Sequence, residues 1–345
     1  MSGELLSRDS FRQSVFERDG HRCVLCDAAA KDAHHIMERR LFTAEHEFGG
    51  YFLDNGASVC EACHIASEQT TISTEQLREA TGIKKVVLPS HLYDDERYDK
   101  WGNIILPNGK RLKGELFHDE SVQKILSSVL PVFTHYVKYP RTHHLPHSPG
   151  MHDDDRMHES MKQWEGRQVV VTLKMDGENT TMYRDHVHAR SVDSGSHPSR
   201  AWVKNFWASI AHEIPEDWRI CGENLYAAHS IAYLSLPSYF LGFSVWNERN
   251  FCLPWDESLE IFRLLGIQQV PVLWEGEFSE TVIREELPRM LNYDHDEGFV
   301  LRTRDGFTSA NFRRFVGKFV RPEHIKTTKH WMRGQAVVKN GLASG

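Results

Sequence analysis

The chain has 345 residues, 40% of them hydrophobic and 11% aromatic, which is the composition of a globular protein with room for two domains. The formal net charge of −7 argues against a uniformly basic nucleic-acid coat. No run approaches the roughly 18 apolar residues of a membrane span, and residues 1–10 lack the apolar core of a signal peptide. We therefore expect a cytoplasmic protein.

Four of the six cysteines form two Cys-x-x-Cys pairs, Cys23 with Cys26 and Cys60 with Cys63. A short helix predicted over residues 11–22 leads into the first pair. In a cytosolic chain, paired cysteines of this spacing bind zinc far more often than they form disulfides. We expect a tetrahedral Zn²⁺ site made of the four thiolates. Such a site would stabilise a unit of about 80 residues that has few aliphatic side chains for a core.

Histidines lie between and directly after the cysteine pairs, in the order His34-His35, then Asn55, then His64. This order, framed by zinc knuckles, resembles the HNH (ββα-metal) endonuclease family over about residues 11–80. The resemblance implies that His35 activates water as a general base and that Asn55 braces the loop. It also implies that His34 and His64 hold a divalent metal at the scissile phosphate.

Glu68 follows His64 by one helical turn and could reach the same metal. Many members of the HNH family carry histidine at this position. Two other interpretations stay open. The histidines near the zinc knuckle could have only a structural role, in capping or packing, or the module could bind nucleic acid without cutting it.

Residues 81–165 are interpreted as a linker or accessory region. Within it we predict a hairpin in residues 101–116 and a short amphipathic helix over residues 121–130. Residues 152–156 are interpreted as a solvated turn or a helix start, and not as a metal site. Three residues of the Pro- and His-rich stretch before that turn could meet a phosphate or lie on a surface loop: Arg141, His143 and His144.

A β-branched run over residues 169–173 predicts a buried strand that delivers Lys174 at its end. Asp176 and the turn-forming Gly177 follow. A lysine held beside apolar packing loses its proton more easily than one in water, and the neutral amine is a nucleophile. An isolated lysine at the end of a strand is otherwise a solvent-exposed residue.

Later strands each carry one further polar or aromatic candidate. These are Glu223 in the strand 220–226, Phe243 in the strand 239–246, Glu297 in the strand 296–302 and Lys318 in the basic strand 313–321. Residues 301–345 hold ten Lys and Arg against two Asp and Glu, a local net charge of 10 − 2 = +8. This basic tail is either solvated or a phosphate-binding surface.

The order lysine, carboxylate, aromatic, carboxylate, lysine over residues 169–321 is similar to the covalent nucleotidyltransferase superfamily. That superfamily contains the ATP-dependent DNA ligases, the RNA ligases and the mRNA capping enzymes. Asn179, at the end of Lys174-Met-Asp-Gly-Glu-Asn179, favours the RNA ligases, because the others usually carry arginine there. The implied fold is α+β, with an antiparallel-sheet nucleotidyltransferase (ligase adenylation) domain after a small zinc-bound ββα-metal HNH-like domain. The expected parts are the HNH-like zinc module, the linker or accessory region, and the nucleotidyltransferase domain with its basic tail, over residues 1–80, 81–165 and 166–345.

The resemblance implies a role for each motif. Lys174 would attack the α-phosphate of ATP, giving lysyl-AMP and pyrophosphate. Asp176, Glu223 and Glu297 would converge on one site, where Mg²⁺ (or Mn²⁺) would neutralise them. Lys318 would hold the α-phosphate. Asn179 and Arg190 would hold the ribose or the reacting 5′-phosphate. Phe243 would stack on adenine.

One position departs from the superfamily pattern. The last motif commonly has two lysines, whereas Lys318 is accompanied only by Arg314 and Arg321. The second cation of this motif is therefore left open.

We therefore expect an ATP-dependent RNA ligase that joins 5′-phosphate and 3′-hydroxyl ends through lysyl-AMP and an AMP-capped polynucleotide, in nucleic-acid repair. Its partner would be RNA, including a nicked RNA/DNA duplex, and the HNH module would bind or trim the ends. The alternatives are an HNH nuclease with a ligase-like nucleotide-sensing domain, a DNA ligase, a non-catalytic nucleic-acid-binding protein, and a GTP-dependent capping-type transferase.

Overall fold

The computed structural model of the protein describes residues 4–151, 155–192, 194–322 and 337–343. The chain forms two compact units, Met1–His135 and Tyr136–Gly345. Both combine helices with small, mainly antiparallel sheets, which confirms the α+β class. The unit boundary lies upstream of the predicted start at residue 166, because residues 136–165 contribute a strand to the second unit. The predicted basic tail and the turn at 152–156 fall partly outside the described residues.

The first unit is organised around an antiparallel pair of strands packed between helices. Phe11 and Val15 of the first helix are buried and face the second strand at Gly56. This helix ends before the predicted residue 22, since Gly20 and His21 take left-handed φ angles of +61° and +57°. In chain order the elements are α1 (Arg8–Arg18), β1 (Asp32–His35), β2 (Gly56–Val59), α2 (Glu61–Glu68), α3 (Thr74–Thr81), β3 (Ile104–Ile105), β4 (Arg111–Leu112), α4 (Glu120–Leu126) and β5 (Phe133–Thr134).

The second unit is built mostly of strands. In chain order its elements are β6 (His143–His144), β7 (Gln168–Leu173), β8 (Glu178–Met182), β9 (Val187–Ala189), α5 (Ala201–Ile210), β10 (Arg219–Asn224), β11 (Phe240–Trp246), β12 (Phe251–Cys252), α6 (Trp255–Leu264), β13 (Gln268–Gln269), β14 (Val272–Glu277), α7 (Leu287–Met290), β15 (Gly298–Thr303), β16 (Phe307–Thr308), α8 (Phe312–Phe315) and β17 (Val316–Val320). The predicted strand over residues 169–173 is therefore present as β7, with its valines fully buried.

Two sheets give the second unit its shape. One has the order β16-β12-β11-β10-β8-β9, with β13 beside β11, and the other has the order β14-β7-β15-β17-β6. Their neighbouring strands are antiparallel except for β11 with β13 and β17 with β6. The buried residues Val170, Leu241 and Trp255 belong to a shared core cluster that contains side chains from β7, β11 and α6. The two sheets are thereby held together by apolar packing.

The predicted basic strand over residues 313–321 is only partly correct. Its first residues form the short helix α8, and the strand β17 begins at Val316. The helical turn buries Phe312 beside Trp246 and Phe307, which a continuous strand would place elsewhere.

Within the part of the chain that the structure describes, no helix has the length and apolar composition needed to cross a membrane.

Candidate nucleotide-binding site and metal clusters

A cavity of about 690 Å³ lies in the second unit, and residues from both of its sheets form the walls. Backbone pairing places the ends of β7, β10 and β15 around this cavity, and β17 contributes alternate side chains. Of the residues proposed for the ligase reaction, those that line the cavity are Lys174, Asn179, Arg190, Glu223, Phe243, Glu297 and Lys318. The fold thus brings together motifs that are distant in sequence.

Lys174 and Glu297 meet because β7 and β15 are antiparallel neighbours. Leu173 lies opposite Phe299 in the register, and just beyond this pair the backbone N–H of Lys174 donates to the carbonyl of Gly298 at 2.9 Å. The Nζ atom of Lys174 lies 2.5 Å from Oε2 of Glu297. Glu297 is only 4% exposed, so this is an ion pair at the floor of the cavity.

The acids decide the protonation of Lys174. Burial lowers the pKa of Lys174, but Glu297 and Glu223 outweigh burial and raise the pKa above its usual value. The acids therefore outweigh burial, and the amine is held as an ammonium in the chain by itself. Burial raises the pKa of Glu223 to about 8, with Lys174 acting against this rise and Glu297 adding to it. A second positive charge near the acids would favour the neutral, nucleophilic amine.

The raised pKa of Glu223 predicts how stability depends on pH. In the chelator-treated protein, the folded state holds a proton on Glu223 that the unfolded state loses near pH 4.5. The free energy of unfolding should therefore fall as the pH rises from about 4.5 to about 8. Glu223→Gln should remove the part of this fall that Glu223 causes, while the raised pKa of the buried Glu297 still contributes. It should stabilise the second unit at pH 8.5 by about 2 to 4 kcal/mol, since one pKa unit corresponds to about 1.4 kcal/mol.

Denaturant unfolding at pH 5 and pH 8.5 measures this difference, with the exposed Glu216→Gln as the matched control. Equal stabilities of Glu223→Gln and the wild type at both pH values would contradict the assigned environment of Glu223.

Asp176 differs from the other two proposed acids, because it is not among the described residues that line the cavity. Its Oδ2 accepts the backbone N–H of Ile231 at 2.7 Å, and its own N–H donates to the Tyr233 hydroxyl at 2.9 Å. At Gly177 a Cβ atom would lie 2.6 Å from the carbonyl oxygen of Asn224. The Asp-Gly turn therefore packs against the end of β10. Besides burial, the charge of Asp176 also acts on the pKa values of Lys174, Glu223 and Glu297 and raises each of them. Its carboxylate therefore lies near the other two acids, and the convergence of the three acids on one site stays a prediction.

Aromatic side chains and a buried hydrogen-bond acceptor also line the cavity. Phe243 packs edge-on against Tyr139 at 5.2 Å between ring centroids, and Tyr139 packs the same way on Phe312 at 5.3 Å. The Oδ1 atom of Asn179 is buried and has no hydrogen-bond partner among the described residues. Arg190 is exposed and lines the cavity. This arrangement suits an aromatic base, a hydroxyl donor and a phosphate.

Lys318 faces the cavity because β17 alternates. Val316, Lys318 and Val320 line the cavity, whereas Arg314 and Arg321 are not among its lining residues in the described chain. The second cation that the sequence analysis left open is therefore not assigned to either arginine. Arg141 also lines the cavity.

Several cavity residues come from outside the sequence motifs. Arg141 and His144 were considered only as possible phosphate contacts, and the sequence analysis missed the others. The Pro- and His-rich composition of residues 139–150 hides the two-residue strand β6, so no periodic signal marks this stretch as part of a sheet. The additional lining residues of interest are Tyr139, Arg141, His144, Asp155 and His229.

The two Cys-x-x-Cys pairs of the first unit come together as predicted. Ligand atoms of Cys23, Cys26, Cys60 and Cys63 all lie within 4.8 Å of one another. The Sγ atom of Cys26 is 3.6 Å from that of Cys60 and 3.8 Å from that of Cys63. Thiolates at about 2.3 Å from a tetrahedral Zn²⁺ would be about 3.8 Å apart. The donor set and its spacing therefore fit zinc.

A second cluster consists of His34, His64 and Glu68, whose ligand atoms also lie within 4.8 Å of one another. His34 is 2% exposed, and neither of its ring nitrogens makes a hydrogen bond within the described chain. The Oε1 atom of Glu68 lies 3.3 Å from His64 Nε2 and 3.4 Å from His34 Nδ1. Asp32 lies 3.2 Å from the other ring nitrogen of His64. Buried, unsatisfied nitrogens beside a carboxylate are a fitting ligand set for a divalent cation.

His35 points away from that cluster and stacks on Phe11, with ring centroids 4.6 Å apart. Burial lowers the pKa of His35 to about 4, with Lys100 adding to the effect, so its ring is neutral at pH 7. The ammonium of Lys100 lies 3.1 Å from Glu68. A divalent cation at the cluster would therefore share Glu68 with Lys100.

Asn55 makes the loop contacts that its sequence position suggested. Its amide donates to the carbonyls of Met37 and Gly50 at 3.1 and 2.9 Å and accepts the N–H of Met37 at 2.9 Å. These bonds fix the backbone that connects β1 to β2.

Comparison with known proteins gives one family model that matches part of the chain and several similar solved structures. No curated protein matches the chain. Similar solved structures include Naegleria gruberi RNA ligase with PPi (20% identity over 47% of this chain and 51% of that chain, TM-score 0.36). Others are a mutant of that ligase with ATP and Mn (19%, 47% and 52%, TM-score 0.35) and an archaeal ATP-dependent RNA ligase (15%, 54% and 48%, TM-score 0.38).

The chain spans about half the length of these solved structures, and the low TM-scores establish no residue correspondence. The family comparison is more specific, since it identifies a continuous stretch of this chain. Residues 167–320, which carry Lys174, Glu223, Glu297 and Lys318, match the family model described as RNA ligase, and this match supports the ligase interpretation.

Proposed function

We propose that the protein is an ATP-dependent RNA ligase that joins a 5′-phosphate to a 3′-hydroxyl. The observation that carries this proposal is the ion pair of Lys174 with the buried Glu297, in one cavity with Glu223 and Lys318. A cavity of about 690 Å³ has the size of a small-molecule site. The match of residues 167–320 to the RNA ligase family model supports the same reaction class.

In the first step, the Nζ atom of Lys174 attacks the α-phosphorus of ATP. A P–N bond forms, the bond from the α-phosphorus to its bridging oxygen breaks, and pyrophosphate leaves with that bond's electron pair. Glu297 lies 2.5 Å from Nζ and accepts the proton that the ammonium must lose. Burial raises the pKa of Glu297, which favours this transfer. Mg²⁺ or Mn²⁺ held beside Glu223 would supply charge neutralisation at the phosphates, which leaves Glu297 available for the proton.

Other cavity residues are suited to hold the nucleotide. The unpartnered Oδ1 of Asn179 accepts a ribose hydroxyl, and Phe243 packs against adenine. Lys318 holds the α-phosphate, and Arg190 holds the reacting 5′-phosphate. AMP then moves to the RNA 5′-phosphate as the P–N bond breaks. Attack by the 3′-hydroxyl forms the phosphodiester and releases AMP.

The test is sealing of RNA that carries a 5′-phosphate and a 3′-hydroxyl, with ATP and magnesium. We expect sealed RNA, and accumulation of 5′-adenylated RNA when the 3′ end is blocked. Nicked DNA and RNA/DNA duplexes in parallel distinguish an RNA ligase from a DNA ligase. Protein labelling by GTP in place of ATP would identify a capping-type transferase. Nucleotide binding without any AMP transfer would refute the ligase and leave a sensor domain.

We also propose that the first unit is a zinc-stabilised HNH-type module that binds RNA ends and cuts them. The specific observation in favour is the unsatisfied, buried His34 beside His64 and Glu68. In this proposal Zn²⁺ is bound by the four cysteines and a separate divalent cation by the histidine cluster. His35, neutral at pH 7, activates the attacking water.

Two variants separate metal binding from cutting in this module. His64→Ala should lose the divalent cation, measured by Mn²⁺ titration, together with strand cutting. His35→Ala should keep the cation but lower cutting by about 10²- to 10⁴-fold. The exposed His212→Ala is the matched control. If wild-type protein binds Mn²⁺ but cuts neither RNA nor DNA, the module is a binding domain only.

A further inference from the structure

We propose that Asp155 and His144 are positioning residues for Lys318, so that the ligase cavity is completed by a segment upstream of the family match. The described part of this segment covers residues 139–151 and 155–158, whereas the match begins at residue 167. The proposal rests on the proposed function, since Lys318 is taken to hold the α-phosphate. It assigns a role to two residues that belong to no ligase motif of the sequence analysis.

The backbone joins the segment to the strand that carries Lys318. β6 runs parallel to β17, with His144 opposite Lys318, and the N–H of Leu145 donates to the carbonyl of Lys318 at 2.7 Å. On its other side, the N–H of His144 donates to the carbonyl of Arg156 at 2.7 Å. The carbonyl of His144 accepts the N–H of His158 at 2.8 Å. β6 is therefore held between β17 and the residues that follow Asp155 in sequence.

The side chains form a connected set of polar contacts. The Nζ atom of Lys318 donates to Oδ1 of Asp155 at 3.1 Å, and Oδ2 of Asp155 lies 3.1 Å from Nε2 of His144. The Nδ1 atom of His144 lies 2.7 Å from the Ser148 hydroxyl, which accepts the N–H of Val320 at 2.9 Å. The carboxylate of Asp155 is thus connected to β17 both directly and through His144.

The chemistry of the set favours one arrangement of protons. The Ser148 oxygen accepts the N–H of Val320, and its own proton can go to Nδ1 of His144 at 2.7 Å or to the carbonyl of Val320 at 3.4 Å. The shorter contact favours Nδ1, which leaves the proton of the neutral ring on Nε2. This atom lies 3.1 Å from Asp155 without making a hydrogen bond within the described chain. Burial lowers the pKa of His144 to about 4, with Lys318 adding to this effect, so the ring is neutral at pH 7. Asp155 uses one oxygen on each neighbour, and the ammonium of Lys318 keeps two further N–H donors for a phosphate.

Asp155 also helps to keep the side chain of Lys318 protonated. Burial lowers the pKa of Lys318, Asp155 opposes burial, Lys174 lowers the pKa further and Glu297 opposes it. The neutral His144 is a further titratable neighbour among the described residues. Without Asp155, Lys318 should lose its proton at a lower pH and lose its fixed direction. Both effects weaken its hold on the α-phosphate.

The test compares Asp155→Asn and Asp155→Glu with the wild type in the rate of lysyl-AMP formation, across pH and ATP concentration. Asp155→Asn should lower the rate by about 10- to 100-fold, the scale of a misplaced catalytic contact, and move the alkaline limb of the pH profile to lower pH. Asp155→Glu keeps the negative charge, so it should restore most of the rate and most of the original position of the alkaline limb. The matched control is Asp256→Asn, which removes an exposed ion pair with Arg304. It should change neither the rate of lysyl-AMP formation nor its pH profile.

A wild-type rate for Asp155→Asn would overturn the proposal. A second contradictory result is a lower rate of lysyl-AMP formation in Asp155→Asn with an unmoved alkaline limb and no recovery in Asp155→Glu. That pattern marks a merely structural role. If Asp155→Asn does not fold, His144→Gln provides the second variant and must show a loss with the same movement of the limb.

Failure of the proposed function would look different, because the wild type itself would then form no AMP adduct. The proposal would still be tested by NMR titration of the Lys318 ammonium in the wild type and in Asp155→Asn. An unchanged titration would overturn it.

Discussion

Lys174→Ala is expected to abolish AMP transfer to the protein and the ATP-dependent sealing of RNA, a fall on the order of 10⁴-fold or more, as for loss of a covalent nucleophile. The same variant should still seal RNA that already carries AMP on its 5′-phosphate, because only the first step needs the amine of Lys174. Gel assays with the two RNA substrates measure both outcomes. The split between them is what distinguishes a nucleophile from a residue that holds the fold.

The controls for this experiment follow from the burial of Glu297. Removing Lys174 leaves that carboxylate buried without its cation, which can itself destabilise the protein. Lys174→Arg keeps the positive charge but supplies no comparable nucleophile, so it should fold better than Lys174→Ala and be equally unable to form the adduct. The exposed Lys162→Ala should behave as the wild type. Equal loss of sealing with both RNA substrates would contradict the assignment of Lys174 as nucleophile.

Loss of zinc is expected to have the second large effect. Cys60→Ser should leave the protein without its equivalent of bound Zn²⁺ and unfold the first unit at room temperature, because structural zinc contributes about 10 to 16 kcal/mol of binding free energy at pH 7. Cys60 directly precedes α2, the helix that carries His64 and Glu68. We therefore expect the histidine cluster to lose its divalent cation in the same variant.

Metal analysis together with thermal unfolding measures this effect, and a zinc chelator should reproduce it in the wild type. Cys221→Ala is the matched control, since Cys221 is buried in the second unit and lies outside the cluster. Full zinc content and native unfolding of Cys60→Ser would contradict the proposed site.

The strands that carry the motifs could be predicted from the sequence, because their apolar runs are continuous. The predicted strand at 169–173 corresponds to β7, Gln168–Leu173, and Glu223 lies on β10 within the predicted strand at 220–226. The cysteine spacing likewise predicted a cluster that the structure contains. In these cases, local pattern and tertiary packing favour the same conformation.

Other features depend on contacts that no local pattern encodes. The carboxylate of Asp176 accepts the backbone N–H of Ile231, a loop contact that the sequence motif does not reveal. The strand β6 has only two residues and forms through its pairing with β17 and with residues 156–158. Lys174 is held as an ammonium by acids from other strands, a balance that depends on distances across the sheets. Sequence reasoning identified these residues or their neighbourhood but could not assign their partners.

The most direct measurement for the whole account is to locate the covalent AMP. The wild-type protein is incubated with α-labelled ATP and magnesium, digested under conditions that preserve phosphoramidates, and mapped by mass spectrometry. The account predicts a single AMP, attached to Lys174. An unlabelled protein, or AMP attached to any other residue, would contradict it.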